Sequence, residues 1–514
     1  MHANTARISS KPGSIAPKLE GKSSFAADVL KVATGTTAAQ ILSSISAPII
    51  ARLFAPDAFG VAALFGSLLG IAGIVACLRF ENSILLPELD SDAAQAVALS
   101  LGVAASISAL AVPLFWLGER QILAWLKAPA LVESFWLLPI AIASYGATLV
   151  FTNWCTRKKR FSGITLAQFS MTLIATVFQL VAGLTGHLSS RVLVFSVVLG
   201  SVCNSLYLGI LAWKSGLGRL VPFIRIASIR AAMTRYSSFA KLGTLSTILN
   251  VISWQLPAFL LAAFFSTGVV GQFSLGNRLL RVPMNLIGIS IGRVFLQRAA
   301  EANQQGTLHV SVESAFHYLV ALSMFPSLML GLVGRDVFVV LLGAKWADAG
   351  LYAQILSPWV CVWFVSSPLS VIFTVTEKLA LDLRVQVLIF TTRLGSLVAG
   401  GVLHSVELAL ALFSITGVLT YGYYCILAIR VSGAKVKGLL PVFGSNLLEF
   451  VPSGLLILAL KASHTSRFVV LIAAALLTAV HYGRLARRDP QARRLFSLIG
   501  ARFAPGTPCT RNQS

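Results

Sequence analysis

Acidic residues are scarce in this chain: 18 Asp and Glu stand against 41 Lys and Arg in 514 residues, and charged residues together make up only 11%. A soluble domain carries about a quarter charged residues. With 56% hydrophobic residues and a mean hydropathy of +0.82, the composition excludes an ordinary soluble fold. Cysteine is sparse too. Cys77, Cys155, Cys203, Cys361, Cys425 and Cys509 stand singly, with no CxxC pair, which excludes a disulfide framework. His187, His309, His317, His404, His464 and His481 show no metal-ligand spacing. No nucleophile–base set and no phosphate loop occurs, so enzyme chemistry has no foothold and no cofactor is expected. The first stretch, Met1–Ala27, is polar and basic without an apolar core before a cleavage site; it reads as a cytosolic tail and not as a signal peptide.

What is present is a series of apolar runs, each long enough for one bilayer crossing of about 20 residues. They run from Val29–Ile50 and Gly60–Leu78 through Leu242–Phe264 and Val269–Phe295 to Phe468–Tyr482, about fourteen in all. Basic residues concentrate in alternate loops. Arg157–Arg160, Lys214, Arg219, Arg225, Arg230, Arg235, Arg430, Lys435, Lys437 and the Arg484–Arg494 tail fall on one side. The positive-inside rule makes that side cytosolic, with both termini on it. The same rule absorbs most of the +23 net charge, and no basic patch is interleaved with exposed aromatics, so nucleic acid is not an expected partner. No loop is long enough for a folded soluble domain. The longest, about 214–240, is basic and amphipathic and is expected to lie on the membrane surface between two halves.

An internal repeat defines those halves. Lys31, Thr34, Thr36, Thr37, Gln40 and Ser43 recur, 210 residues on, as Lys241, Thr244, Ser246, Thr247, Asn250 and Ser253. Pro48 and Gly60 are matched by Pro257 and Gly271 to within one position. Parallel repeats of this kind build transporters whose substrate site lies between halves. The matched polar stripes Thr36, Gln40, Ser43, Thr244, Thr247, Asn250 and Ser253 suit either cavity lining or helix–helix packing.

The stretch 268–301 carries the most pointed signal. Ser274, Arg278, Arg281, Asn285, Gly288 and Gly292 follow one another at helical intervals and share one stripe of a single expected helix. An arginine near the bilayer centre is costly and faces a polar interior. Placing both arginines at an interface instead would leave only about 18 Å of helix for the next crossing, too short for a core of about 30 Å. A positively charged, water-accessible cavity follows. Paired guanidiniums suit phosphate or pyrophosphate, so the expected substrate is an anion. Other ionisable residues read less clearly. Arg79 and Glu81 suit a gating role or a loop ion pair. Arg293 lies near a helix end, Arg393 is deep in the eleventh run, and Glu449 in the thirteenth suits coupling or a pair with a neighbouring helix.

At these residues the chain resembles a family. RFENSILLP, FTNWCTRKKRF, NVISWQLPAFLLAAFFSTGVVGQFSLGNRLLRVPMNLIG and LLGAKWADAGLYAQILSPW resemble blocks of the bacterial polysaccharide transport proteins, Wzx-like flippases for lipid-linked oligosaccharides. These belong to the multidrug/oligosaccharidyl-lipid/polysaccharide exporter superfamily. The resemblance implies an all-α polytopic membrane protein of about 14 transmembrane helices, with two pseudo-symmetric six-helix lobes plus two C-terminal helices. On this chain that gives a tail 1–27, an N-lobe 28–213, a linker 214–240, a C-lobe 241–430, two further helices in 431–483 and a basic tail 484–514. It further implies alternating-access export of an undecaprenyl-pyrophosphate-linked oligosaccharide across the bacterial inner membrane for O-antigen, capsule or exopolysaccharide. The partners it implies are that anionic glycolipid, membrane lipid, and a polysaccharide polymerase with its chain-length regulator. Arg278 and Arg281 would hold the pyrophosphate, with Asn285 and the polar stripes lining the cavity. One departure is visible: at the repeat positions of the two arginines the first half has Ser67 and Gly70, so the charge is lopsided. The competing reading is a cation-coupled drug antiporter of the same superfamily, which would need an essential carboxylate such as Glu81 or Glu449. A membrane glycosyltransferase or polymerase would need catalytic carboxylates and a sizeable periplasmic loop, which the sequence lacks.

Overall fold

The computed structural model describes residues 38–236, 244–282, 284 and 289–488, with a few side chains inside those ranges also left undescribed. All regular structure in them is helical. The first half comprises α1 (Ala38–Leu53), α2 (Pro56–Ala76), α3 (Asp90–Trp125), α4 (Leu137–Arg157), α5 (Phe161–Leu184) and α6 (Ser190–Ala212). A short surface helix, α7 (Ile226–Arg235), follows. The second half comprises α8 (Thr244–Phe264), α9 (Thr267–Leu280), α10 (Ile289–Gln304), α11 (Leu308–Leu342), α12 (Ala347–Leu369), α13 (Leu379–Val402) and α14 (Val406–Val431). Then come α15 (Val436–Ala462) and α16 (Arg467–Arg488).

Eleven helices among the described residues are long and apolar enough to cross a membrane, and Ala38–Leu53 and Leu249–Phe264 are shorter apolar helices. The protein is therefore an all-α polytopic membrane protein. Of the three spans by which this differs from about fourteen, two are the shorter helices and the third is the stretch Val269–Phe295. Helix α9 is capped at its start by Ser266, whose hydroxyl accepts from Val269 N at 3.3 Å, and ends at Leu280; the next long helix among the described residues begins at Ile289. The arginine stripe holds as far as Arg281, the C-capping residue, and its extension to Asn285 and Gly288 falls outside the described residues. Pro283 marks this point in the sequence, since it has no N–H to give to the Leu279 carbonyl four residues back.

Helices α2–α6 pack among themselves, Ile50 of α1 and Phe54 just after it join them beside Ala58 and Leu193, and α8 and α11–α14 form a second group. Helices α15 and α16 lean on α11, where Phe325 stacks on His481 with ring centroids 4.3 Å apart. Lys461 and Arg467 pair with Asp336 at the α11 end, at 2.9 and 3.6 Å. In the linker, Ala232 and Tyr236 pack with Phe80 and Leu99.

The two halves meet most tightly along α2 and α9. A Cβ added to Gly60 would lie 1.8 Å from the Thr267 carbonyl oxygen, and one on Gly271 would lie 1.9 Å from that of Pro56. Only glycine permits this backbone approach. Around it, Thr267 Oγ1 donates to Asp57 at 2.8 Å and Trp346 Nε1 to the Ala51 carbonyl at 2.7 Å. Arg52 reaches the Val340 and Leu341 carbonyls at 2.7 and 3.0 Å, while Lys345 Nζ donates to Arg52 O and Phe54 O at 2.9 Å. One end of the seam between the halves is thus closed by backbone contact and polar clasps. Further along the same two helices the seam widens into a chamber.

Candidate functional site

The chamber has a volume of about 370 Å³. Helix α2 contributes Ala63, Gly66 and Ser67, helix α8 contributes Trp254, Gln255 and Ala258, and helix α9 contributes Phe273, Ser274, Asn277 and Arg278, with Arg281 at its cap. Helix α9 is held in place by Gln272, whose amide donates to the Lys345 carbonyl at 2.7 Å and accepts from Ala349 N at 3.0 Å. A second chamber of about 400 Å³ adjoins it between α1, α2, α5, α6 and α9. Arg278, Ser274 and Ala63 line both. No acidic side chain lines either chamber among the described residues.

The two arginines are held differently. Arg278 donates to Ser43 Oγ of α1 and otherwise opens to the cavity. Arg281 lies over the rings of Trp254 and Trp363, its guanidinium carbon 4.7 and 5.7 Å from their centroids, and its Nε has no hydrogen-bond partner. A desolvated cation–π contact offsets up to about 2 kcal/mol, against about 2.5–3.5 kcal/mol for an arginine at mid-membrane. With no carboxylate alongside, the chamber favours an anion.

Behind Trp254 sits a third guanidinium, that of Arg393, which is 3% exposed and lines neither chamber. It donates to Ser253 Oγ at 3.1 Å, to Ser253 O at 3.3 Å and to Tyr421 Oη at 2.8 Å. Its guanidinium carbon lies 4.5 Å from the Trp254 centroid and 5.6 to 5.8 Å from those of Phe413, Tyr421 and Trp359. The arrangement has a local cause. Pro257 inside α8 has no N–H to give to the carbonyl four residues back, which is that of Ser253. Arg393 takes that orphan acceptor. Ser253, expected on a cavity stripe, therefore faces this buried arginine.

The first-half side of the chamber carries a different polar contact. Gln255 of α8 reaches across to α2, where Ser67 Oγ donates to its Oε1 at 3.1 Å. A Cβ on Gly70 would lie 2.5 Å from Gln255 Nε2. An amide from the second half thus lies against both first-half counterparts of the two arginines.

The remaining expected residues scatter. Ser43 lines the second chamber, whereas Gln40 is half-buried and Asn250 exposed, and neither lines a chamber. Thr36 and Asn285 lie outside the described residues, as do the side chains of Thr244, Thr247 and Arg293. Arg79 has a left-handed backbone (φ 63°) and pairs with Asn82, whose amide oxygen, turned towards it, accepts at 3.2 Å. Glu81 is 4% exposed and its Oε2 has no hydrogen-bond partner. Burial raises its carboxyl above the ordinary value of 4.5, against smaller opposing effects of a backbone hydrogen bond and of Arg79. Glu449 lies 4.0 Å from His481 on the neighbouring α16, away from both chambers. Trp254, Gln255, Asn277 and Trp363 join the site without being marked out by the sequence. Of these, only Trp254 and Gln255 carry even a weak sequence signal, as neighbours shortly before Pro257.

Comparison with known proteins follows the same lines. The family described as "Polysaccharide biosynthesis protein" matches residues 49–350. Among solved structures, the lipid II flippase MurJ in an inward closed conformation aligns over 89% of this chain and 98% of its own, with TM-score 0.68 and 11% identity. An inward-facing multidrug resistance MATE family transporter of the MOP superfamily aligns over 77% of this chain and 95% of its own, with TM-score 0.60 and 13% identity. At such identities the likeness is one of fold. No curated protein sequence matches significantly.

Proposed function

The chain belongs to the polysaccharide biosynthesis protein family, and from that premise we propose that it is a carrier moving an undecaprenyl-pyrophosphate-linked oligosaccharide across the bacterial inner membrane for surface polysaccharide assembly. The observation that carries the reading is the pair Arg278 and Arg281 in an inter-half chamber with no acidic lining. Arg278 offers the open fork for a pyrophosphate, and Arg281, fixed over Trp254 and Trp363, adds charge at constant position. Trp254, Gln255, Ser67 and Asn277 supply an aromatic face with amide and hydroxyl groups, which suits the sugar next to the pyrophosphate. A cation exporter would need a carboxylate in this chamber.

In this reading the halves 28–213 and 241–430 rock about the seam, with 431–483 as an appended helix pair, 214–240 on the cytosolic surface, and the tails 1–27 and 484–514 in the cytosol. The clasped end around Gly60 and Gly271 is then the periplasmic gate in its closed position. A polysaccharide polymerase and its chain-length regulator would receive the product. The test is replacement of Arg278 and Arg281 together by Ala, with surface polysaccharide and membrane protein level both measured. Loss of polysaccharide at normal protein level is expected; unchanged polysaccharide would sink the assignment.

A further inference from the structure

The two chambers that meet at Arg278 differ in what their walls leave unpaired. In the first, Asn277 Oδ1 and Arg281 Nε lack partners. In the second, three of the polar side chains already donate within the protein: Thr172 to Gln168 O at 3.1 Å, Ser46 to Ser43 O at 3.3 Å, and Gln179 Nε2 to Ser196 Oγ at 2.7 Å. The rest of its wall includes Ile50, Phe59, Ala175 and Val197. Hydroxyl and amide donors already spent within the protein leave a polar ligand less to gain there, whereas hydrocarbon covers the apolar part of the wall at little polar cost. The outer wall is α5, in which only Ala167, Thr176 and Gly183 are buried, so its other flank faces out of the protein.

We propose that this second chamber seats the first isoprenoid units of the substrate lipid, directly beyond the pyrophosphate. The inference rests on the lipid-pyrophosphate reading given above. Arg278 lines both chambers, so a pyrophosphate held by it has the sugar-suited chamber on one side and the apolar one on the other. That is the order of groups in a lipid-linked glycan: sugar, pyrophosphate, isoprenoid. A volume of about 400 Å³ is at the low end for small-molecule sites. It takes a few isoprene units, and the remainder of the chain leaves past α5 to the bilayer. The chamber thereby orients the pyrophosphate for Arg278 and selects a prenyl chain over a free phosphate anion.

Binding of two soluble probes, inorganic pyrophosphate and geranyl pyrophosphate, to the purified full chain tests this. Geranyl pyrophosphate is expected to bind about tenfold more tightly or better, since each buried methylene contributes. Ala175→Trp, or Val197→Phe from the facing wall should the first not fold, fills the chamber. Either should remove the prenyl advantage and leave pyrophosphate affinity within about twofold. A prenyl advantage that survives both substitutions overturns the chamber assignment while leaving the arginine site standing. Pyrophosphate binding that ignores Arg278→Ala overturns the arginine reading, and the chamber assignment with it.

Discussion

The guanidiniums of Arg281 and Arg393 share one indole: their central carbons lie 4.7 and 4.5 Å from the Trp254 ring centroid. One arginine lines the chamber and the other is buried against Ser253 and Tyr421. Trp254 thus couples the cavity wall to the core of the second half.

Trp254→Ala is expected to destabilise the protein by about 1–3 kcal/mol, less than a fully buried aromatic truncation because Trp254 is only partly buried, and to loosen both arginines. Trp254→Phe keeps an aromatic face and should retain most of the stability and part of the transport. Thermal unfolding in detergent, paired with a transport assay, reads both. Equal stability for the two variants would mean that the cation–π contacts contribute nothing.

The Gly60–Gly271 approach makes a conformational prediction. Gly60→Ala or Gly271→Ala places a Cβ within about 2 Å of a carbonyl oxygen, so α2 and α9 must part. Cross-linking between cysteines introduced at Asp57 and Thr267, whose side chains are hydrogen-bonded at 2.8 Å, should be efficient in the parent and weaker in either alanine variant. A reducible cross-link at this pair should also arrest transport, and cleaving it should restore transport. Transport that continues through the cross-link would show that this end never opens.

Glu81 gives a pH prediction with a definite sign. Burial raises its carboxyl in the folded state, so the folded chain holds the proton more tightly than the unfolded chain does. Stability from this group therefore falls as pH rises above the ordinary carboxylate value of 4.5. Glu81→Gln should flatten that part of the pH dependence of thermal stability and raise stability at neutral pH. An unchanged slope would show that Glu81 is ionised at no cost.

Hydropathy alone carried much of the architecture, because a bilayer crossing is a property of one contiguous run. The position of Arg278 on a cavity wall was legible for the same reason, since a guanidinium in an apolar helix has few places to go. The end of α9 at Leu280 was less so, because the run from Val269 to Phe295 stays apolar past that point. The aromatic box was illegible. Trp254, Arg281, Trp363, Arg393 and Tyr421 come from α8, the α9 cap, α12, α13 and α14, and only tertiary packing brings them together. Ser253 shows the limit of a stripe: helical spacing assigns a face, and the neighbour on that face is Arg393.

The most direct test is flipping of a polyprenyl-pyrophosphate-linked oligosaccharide between leaflets of proteoliposomes, comparing the parent chain with Arg278→Ala/Arg281→Ala at equal reconstitution. The account predicts protein-dependent flipping in the parent and loss of it in the double variant. Undiminished flipping by the double variant would contradict the central claim that these two guanidiniums grip the pyrophosphate.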